Sequence, residues 1–173
     1  MNSKIFFTLI AVFSSQIFFG QEIPKLKLTQ NGVEPIVVEL ANSTANELYE
    51  KSINWVKETY KSPDAVLKAT IENEKIRVNG FSKNAYWYKA LGIKYYGDIN
   101  YSLEIEFKDG KYRFNYIIDN ADLTFCQKNF FKKGKIRKSG KDAVPALEET
   151  MNDLSQSFYN YVTGKNKSKK DDW

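Results

Sequence analysis

The sequence predicts an α+β fold of two layers, in which a curved antiparallel sheet of about five strands carries two helices on one face. Three observations lead to this prediction. Apolar and polar residues alternate on both sides of Asp109-Gly110, a similar alternation flanks Asn73-Glu74, and two segments carry apolar residues at helical spacing. A period of two is typical of strands with one covered face, and three- and four-residue spacing is typical of amphipathic helices. The expected element order is β-α-β-β-β-β-α.

The strongest local signal is Asp109-Gly110, a dipeptide typical of a two-residue turn between antiparallel strands. Such a turn sets the register, so that Lys108 faces Lys111 and each further step adds one pair. One face then carries eight apolar side chains: Tyr101, Leu103, Ile105, Phe107, Tyr112, Phe114, Tyr116 and Ile118. The other face carries Glu104, Glu106, Arg113 and Asn115. We interpret the apolar face as core and the polar face as a solvated surface with cross-strand ion pairs.

Shorter signals predict the first strand and the first helix. Residues 36–40, IVVEL, are rich in the β-branched residues that favour strands. Thr44 and Glu47 have the spacing of a capping box, and Ser43 is the alternative cap residue. The helix that begins here is expected to end before Pro63. Residues 21–34 are interpreted as a loosely held leader or a short edge strand.

The second half of the chain is predicted to contain a further hairpin and less regular segments. The hairpin around Asn73-Glu74 places Ile71 opposite Ile76, and residues 82–99 are interpreted as an irregular connection rich in aromatic residues. Residues 123–126 are expected to continue a strand after a bulge.

A last helix is predicted after the basic segment. Asp142 is expected to cap it, Pro145 to lie in its first turn and Gly164 to end it.

Histidine is absent from the chain, and cysteine occurs once. The first fact excludes histidine-based acid–base catalysis, Ser-His-Asp triads and histidine-ligated zinc. Cys126 cannot form an internal disulfide and is interpreted as a small buried or half-buried strand residue. We therefore expect a non-enzymatic protein with no catalytic residues, no metal and no cofactor.

Residues 1–20 have the form of a secretory signal peptide. Lys4 precedes an apolar run, and cleavage is expected between Gly20 and Gln21. No cysteine lies near this point, which excludes a bacterial lipoprotein. The mature protein is expected to be exported, either periplasmic or secreted, and not to span the membrane.

The length predicts one folded domain in the mature chain. After the signal peptide and the leader at 21–34, residues 35–164 are expected to form a single α+β domain. Residues 165–173, KNKSKKDDW, are expected to be a disordered basic tail.

Two groups of side chains are the candidate contacts for a ligand or partner. The first comprises aromatic residues that could stack on a sugar, a base or a peptide: Tyr86, Trp87, Tyr88, Tyr95 and Tyr96. The second lies in segment 127–141, which holds seven basic residues and no acidic residue. Its candidate contacts are Lys132, Lys133, Lys135, Arg137 and Lys138. The alternatives are that the aromatic group packs over the end of the sheet or becomes part of a strand as it nears Asn100, and that the basic segment is a solvated loop.

Roughly residues 34–118 resemble a known family. The segments that carry the resemblance are EPIVVE, ANELYEKSINWVKETYKSPDAV, IENEKIRVNGF and LEIEFKDGKYRF. They resemble exported proteins of Gram-negative bacteria that form a domain-of-unknown-function family with a TBP-like fold. The resemblance implies the element order given above, and it implies no activity and no binding residues.

The function expected from these observations is binding. The protein is interpreted as an exported module of the bacterial envelope, with an envelope protein, a glycan or an acidic lipid component as partner. The alternatives are charge-driven docking through segment 127–141 and a small periplasmic inhibitor-like protein. Glycoside chemistry by Glu104 and Glu106 is the weaker enzymatic alternative. Nucleic acid is not expected as a partner, because the chain is exported and carries a single copy of the fold.

Overall fold

The structure is a computed structural model that describes residues 22–119 and 124–165. Its elements are β1 (Leu28–Thr29), β2 (Gly32–Val33), β3 (Ile36–Glu39), α1 (Ala45–Thr59), α2 (Pro63–Val66), β4 (Leu67–Ile71), β5 (Lys75–Ala90), β6 (Ile93–Lys108), β7 (Lys111–Ile118), α3 (Phe125–Asn129), β8 (Phe131–Lys132), β9 (Lys135–Ile136) and α4 (Gly140–Val162). The main sheet is antiparallel with the order β3-β7-β6-β5-β4, and α1 and α4 pack on one face. The predicted α+β fold is confirmed. The predicted signal peptide and residues 166–173 of the predicted tail lie outside the described residues.

The β6–β7 hairpin has the register that the Asp109-Gly110 turn predicts. Lys108 lies opposite Lys111, and the pairs follow without a shift for the whole length of β7. Gly110 adopts a φ of 77°, as this turn requires. Seven of the eight apolar side chains on the predicted core face are buried, and the eighth is partly buried. The apolar face is therefore the core side of the sheet.

The same turn is bonded to the start of α1. The Thr44 hydroxyl accepts a hydrogen bond from the Glu47 N–H at 3.2 Å, and the Glu47 carboxylate accepts one from the Thr44 N–H at 3.1 Å, which confirms the predicted capping box. The Asp109 carboxylate accepts a further bond from the Ala45 N–H at 2.9 Å. A carboxylate is favoured at a helix N-terminus, so the turn and the helix hold each other in place.

The predicted register of the second hairpin is wrong by one residue. Ile71 lies opposite Lys75 instead of Ile76, because the turn contains three residues, 72–74. Asn73 takes a φ of 62° in this turn, a conformation that asparagine adopts more readily than most residues. Ile76 still faces the core, whereas Ile71 is 53% exposed at the sheet edge.

The interpretation of residues 82–99 as an irregular connection is also wrong. Strands β5 and β6 are each 16 residues long, and they continue as a two-stranded ribbon past the ends of β4 and β7. A tight turn at Leu91-Gly92 joins them. We call residues 86–97 the arm.

The root of the arm is held against the body. The Thr150 hydroxyl of α4 donates a hydrogen bond to the Ala85 carbonyl at 2.7 Å. The Tyr86 ring lies across Gly97, where a Cβ atom would collide with it. The same ring meets Phe130 edge-on, with 5.2 Å between the ring centroids.

Segment 124–141 is folded. Phe125–Asn129 is a helix rather than the predicted strand continuation, and Cys126 is buried within it. Strands β8 and β9 pair around a turn at Lys133-Gly134, where both residues have positive φ. We call residues 131–138 the basic hairpin. Residue 123, the first of the predicted strand continuation, and the bulge expected before it lie within 120–123, outside the described residues.

The last helix begins earlier than predicted. Its first residue is Gly140, with Ser139 in the cap position in place of Asp142. Pro145 therefore lies in the second turn. A Cβ atom at Gly140 would be 2.7 Å from the Phe130 carbonyl oxygen, so the absence of a side chain lets the helix start close against the preceding segment.

Residues 22–34 pack on the body, with residues 22–28 along α4 and β2 beside β7. Both backbone groups of Leu26 bond to the Asn152 side chain, at 2.8 and 3.1 Å, and the Leu28 N–H donates to the Glu148 carboxylate at 2.9 Å. This segment contains the short β1–β2 pair and contributes Leu26 to the core with 1% exposure. In the described part of the chain, no helix has the length and apolar content needed to cross a membrane.

We expect Gly80→Ala to destabilise the fold. The Tyr101 ring lies directly over Gly80 on the core face, where an added methyl group would overlap it. The free energy of unfolding should fall by about 1–3 kcal/mol, the usual effect of overpacking, in urea titrations followed by tryptophan fluorescence. In a Tyr101→Leu background the same substitution should have a smaller effect. Equal effects in both backgrounds would contradict this role of the ring.

Candidate functional site

The structure divides the five aromatic candidates between the two faces of the arm. Residues alternate between faces along a strand, so Tyr86, Tyr88 and Tyr95 lie on the helix side, and Trp87 and Tyr96 lie on the side of the open sheet face. Tyr88 and Tyr95 stack on each other, with ring centroids 5.5 Å apart. The five residues therefore do not form a single platform.

Lys94 lies over the aromatic pair on the open side. Its ammonium is 4.2 Å from the centroid of Trp87 and 5.0 Å from that of Tyr96, within the range of a cation–π contact. Lys89 is 5.9 Å from the Trp87 centroid. A sugar ring or a base would have to displace Lys94 before it could stack here.

The basic hairpin exposes all five cationic candidates: Lys132, Lys133, Lys135, Arg137 and Lys138. Together with Ile136 they line a shallow groove of about 460 Å³. No carboxylate lines this groove, and its four lysines form no ion pair with any residue that the structure describes. Within the part of the chain that the structure describes, the groove is thus a concentrated positive surface whose lysines have no ion-pair partner.

Arg137 also holds the basic hairpin to its stem. Its Nε donates a hydrogen bond to the Phe131 carbonyl at 2.7 Å, and its backbone N–H donates to the Phe130 carbonyl at 2.8 Å. Its guanidinium therefore has a structural partner, whereas the four lysines project to solvent.

The arm and the basic hairpin leave the body from adjacent points. Phe130, which directly precedes β8, contacts Tyr86 at the root of the arm. A groove of about 300 Å³ separates the helix side of the arm from the end of α3, and its lining includes Tyr88, Asn129 and Ser139. Two candidate groups that are distant in sequence therefore lie at the same end of the molecule.

Two exposed residues at the tip of the arm were missed by the sequence reasoning. Leu91 is 101% exposed and Ile93 is 58% exposed. The signal that could have found them is the segment WYKALGIKYY at 87–96, in which similar residues stand at equal distances from a central turn. In this register Lys89 lies opposite Lys94, and each aromatic residue lies opposite another.

The open face of the sheet carries the predicted ion pairs. Arg113 binds Glu106 at 2.8 Å, and Lys75 approaches Glu104 at 3.3 Å and Glu106 at 3.8 Å. The interpretation of this face as a solvated surface with cross-strand ion pairs is confirmed. Exposed pairs of this kind contribute little to stability.

A third groove lies between the end of α1 and β5, with a volume of about 630 Å³. The hydroxyl groups of Tyr60 and Tyr101 meet in it at 3.0 Å. Burial raises the pKa of both phenols, so both are neutral hydrogen-bonding groups at neutral pH. Among the described residues, no group of histidine, cysteine and carboxylate side chains has the arrangement of a metal site.

Cys126 is buried as predicted, with 5% exposure, but it lies in a helix instead of a strand. Burial raises the pKa of its thiol, which disfavours the reactive thiolate. This cysteine is a packing residue.

Comparison with known proteins concerns the fold. Residues 36–117 match the family described as a domain of unknown function, DUF4468, with TBP-like fold. A solved DUF4468 family protein from Bacteroides ovatus ATCC 8483 is 10% identical, with a TM-score of 0.52, over 84% of this chain and 91% of that chain. A TBP-like protein from Parabacteroides distasonis ATCC 8503 is 16% identical, with a TM-score of 0.46, over 75% of this chain and 91% of that one. No curated protein matches the chain.

We expect stability to decrease at alkaline pH because of the buried tyrosines. Burial raises the pKa of Tyr60, Tyr101, Tyr112 and Tyr116 above the ordinary value of 10.0. Below pH 10 these phenols are protonated in both states. Above it the unfolded chain loses protons that the folded chain retains, so the free energy of unfolding falls as pH rises.

The measurement is the urea midpoint at a series of pH values for the wild type and Tyr112→Phe. Lysines also titrate in this range, and the variant isolates the contribution of one phenol. We expect the midpoint of the variant to fall less steeply above about pH 10. Parallel curves for the two proteins would contradict the buried-phenol explanation.

We expect Cys126 to be protected from thiol reagents in the native protein. Reaction with a small aromatic disulfide reagent should be more than about tenfold slower in buffer than in denaturing urea, because the thiol is buried and protonated. Cys126→Ser supplies the zero-reaction baseline. Equal rates in buffer and urea would show that the thiol is accessible.

Proposed function

Because residues 36–117 of this chain match the DUF4468 family, a domain of unknown function with a TBP-like fold, we propose a function from the site itself. We propose that the protein is an exported, non-enzymatic binding module of the bacterial envelope that docks on an anionic envelope component through the basic hairpin. The family assignment confirms the resemblance seen in the sequence. The observation that carries the proposal is the positive charge of residues 132–138, whose lysines form no ion pair with any described residue.

The arrangement of the lysines within the basic hairpin favours the binding of an external anion. Lys132 lies directly opposite Lys135, and Lys133 occupies the turn between them. Like charges placed opposite each other destabilise a strand pair, so this arrangement is unfavourable for the isolated fold. An anion bound at the groove would relieve the repulsion. Near an anionic surface each lysine contributes about 1 kcal/mol, which gives roughly 4 kcal/mol for the four lysines of the hairpin.

The other parts of the proposal rest on the sequence. Export rests on the predicted signal peptide at residues 1–20, and a non-enzymatic role rests on the absence of histidine and on the buried thiol of Cys126. Stacking of a neutral glycan on the arm is less well supported as the primary activity, because Lys94 lies over Trp87 and Tyr96.

The test is binding to two anionic probes, vesicles containing phosphatidylglycerol and immobilised alginate, an acidic polysaccharide. Docking by charge requires strong binding of the wild type at about 20 mM NaCl and much weaker binding at about 500 mM. The variant Lys132→Gln, Lys133→Gln, Lys135→Gln, Lys138→Gln should lose most of the low-salt binding. Arg137 is retained because it holds the hairpin together.

A matched control changes the charge by the same amount elsewhere. Lys25, Lys27, Lys61 and Lys68 are exposed and lie outside the basic hairpin. Their joint replacement by glutamine should leave most of the binding intact. Equal losses in the two variants, or no salt-sensitive binding to either probe, would contradict docking through the hairpin.

A further inference from the structure

We infer that the tip of the arm is a membrane anchor, which inserts Leu91 and Ile93 into the interface of an anionic lipid bilayer. This inference rests on the proposed function and identifies the anionic partner as a lipid surface. It is carried by the conformation and exposure of the tip, by the order of residues along the arm and by the charge around it.

Leu91 is an exception among the turns of this chain. It takes a φ of 51° in a two-residue turn with Gly92, where asparagine or aspartate is usual. The other described non-glycine residues with positive φ are polar or charged: Asn73, Asn84 and Lys133. A branched apolar residue is disfavoured in this conformation, and the 101% exposure of Leu91 shows that packing within the fold does not compensate. Contact with an external apolar phase would compensate for this unfavourable conformation.

The residues of the arm are arranged in tiers from the tip. Ala90 and Ile93 form the first pair below the turn, and Lys89 and Lys94 form the second. The aromatic pairs follow, the last of them about three residue steps, or roughly 10 Å, from the first pair. An apolar segment that enters the interface to a depth of about 5–10 Å, followed by a belt of Trp and Tyr, is the order expected at a membrane surface.

One of the two lysines of the second tier, Lys94, already has the orientation that insertion requires. The Lys94 ammonium lies over Trp87 and Tyr96, so it is turned from the tip toward the root. Lysine side chains near a membrane surface extend in this way, with the stem among apolar groups and the charge at the level of the phosphates.

The charge around the tip favours an anionic bilayer. Between Ala85 and Gly97 the sequence contains Lys89 and Lys94 and no acidic residue. The nearest carboxylate, Asp98, accepts a hydrogen bond from the Asn84 N–H at 2.7 Å. The basic hairpin starts beside the root of the arm and adds its own positive charge at this end of the molecule.

A protein partner fits the tip less well than a bilayer. Two exposed aliphatic side chains on a narrow ribbon offer far less than the roughly 1,200 Å² that a stable protein interface buries. A second copy of the chain would bring the lysines of one arm against those of another. A lipid surface needs no shape complementarity and contributes negative charge.

The decisive variant is Leu91→Asn, which creates the Asn-Gly sequence preferred by this turn. Its melting temperature should equal or exceed that of the wild type, so a loss of binding cannot be attributed to misfolding. Partitioning into vesicles of phosphatidylglycerol and phosphatidylcholine at high salt should fall by about tenfold or more, the effect of removing one buried leucine side chain. Ile71→Asn, at another exposed aliphatic residue, is the matched control and should bind as the wild type does.

A second readout reports insertion directly. Brominated lipids should quench the fluorescence of Trp87 in the wild type, and quenching should be lost in Leu91→Asn. The variant Trp87→Phe retains Trp55, which is buried in the core, and Trp173, so its difference from the wild type is the signal of Trp87.

The outcomes separate the anchor from the proposed function. If Leu91→Asn binds vesicles and is quenched like the wild type, the anchor is wrong and docking by the basic hairpin stands. If the wild type binds alginate but no vesicles, the lipid assignment is overturned and the anionic partner is a polysaccharide. If neither probe is bound, both proposals fail. Selective loss of salt-resistant binding and quenching in Leu91→Asn supports the anchor.

Discussion

The pairing of β6 with β7 is the interaction on which the other parts of the structure depend. The Asp109-Gly110 turn sets this register and thereby places the apolar side chains of both strands on one face. The same turn accepts a hydrogen bond from Ala45 at the start of α1, and the Gly110 N–H donates to the Ser43 carbonyl at 2.8 Å. A shift of the β6–β7 register by one residue would expose the core face, and it would also break the bonds that hold the N-terminus of α1. The register of one hairpin therefore determines where the helix layer is placed.

Strand β6 extends from the core into the arm, so the register that is set in the core also determines the faces of the arm. It pairs with β7 over its second half and with β5 from Ile93 to Glu106, so the alternation that buries Leu103 continues to the tip. The bulge in β5 before Tyr86 does not alter the alternation in β6. Tyr95 and Ile93 consequently share the helix side, and Lys94 and Tyr96 share the open side. The division of the arm into two faces is thus a consequence of the core register.

The two surfaces to which we assign binding differ in their relation to the family domain. The arm lies within residues 36–117, the part that matches DUF4468, whereas the basic hairpin at 131–138 follows it. Both are anchored on the body by aromatic contacts through Phe130 and by α4. In the function that we propose, the hairpin would supply long-range attraction, and the tip of the arm would supply short-range apolar contact. Electrostatic attraction weakens with salt and apolar contact does not, which is why salt separates the two contributions.

The sequence by itself determined the elements whose signals are local. The Asp109-Gly110 turn, the Thr44 capping box and the apolar stripes of both long helices were predicted correctly, because a turn or a cap depends on a few adjacent residues. The candidate lysines were found by composition alone. The tertiary structure decided the three-residue turn at Asn73, the early start of α4 at Gly140 and the continuation of β5 and β6 into the arm. It also brought the arm beside the basic hairpin and left Leu91 exposed, since the exposure of a side chain depends on every segment that packs, or fails to pack, against it.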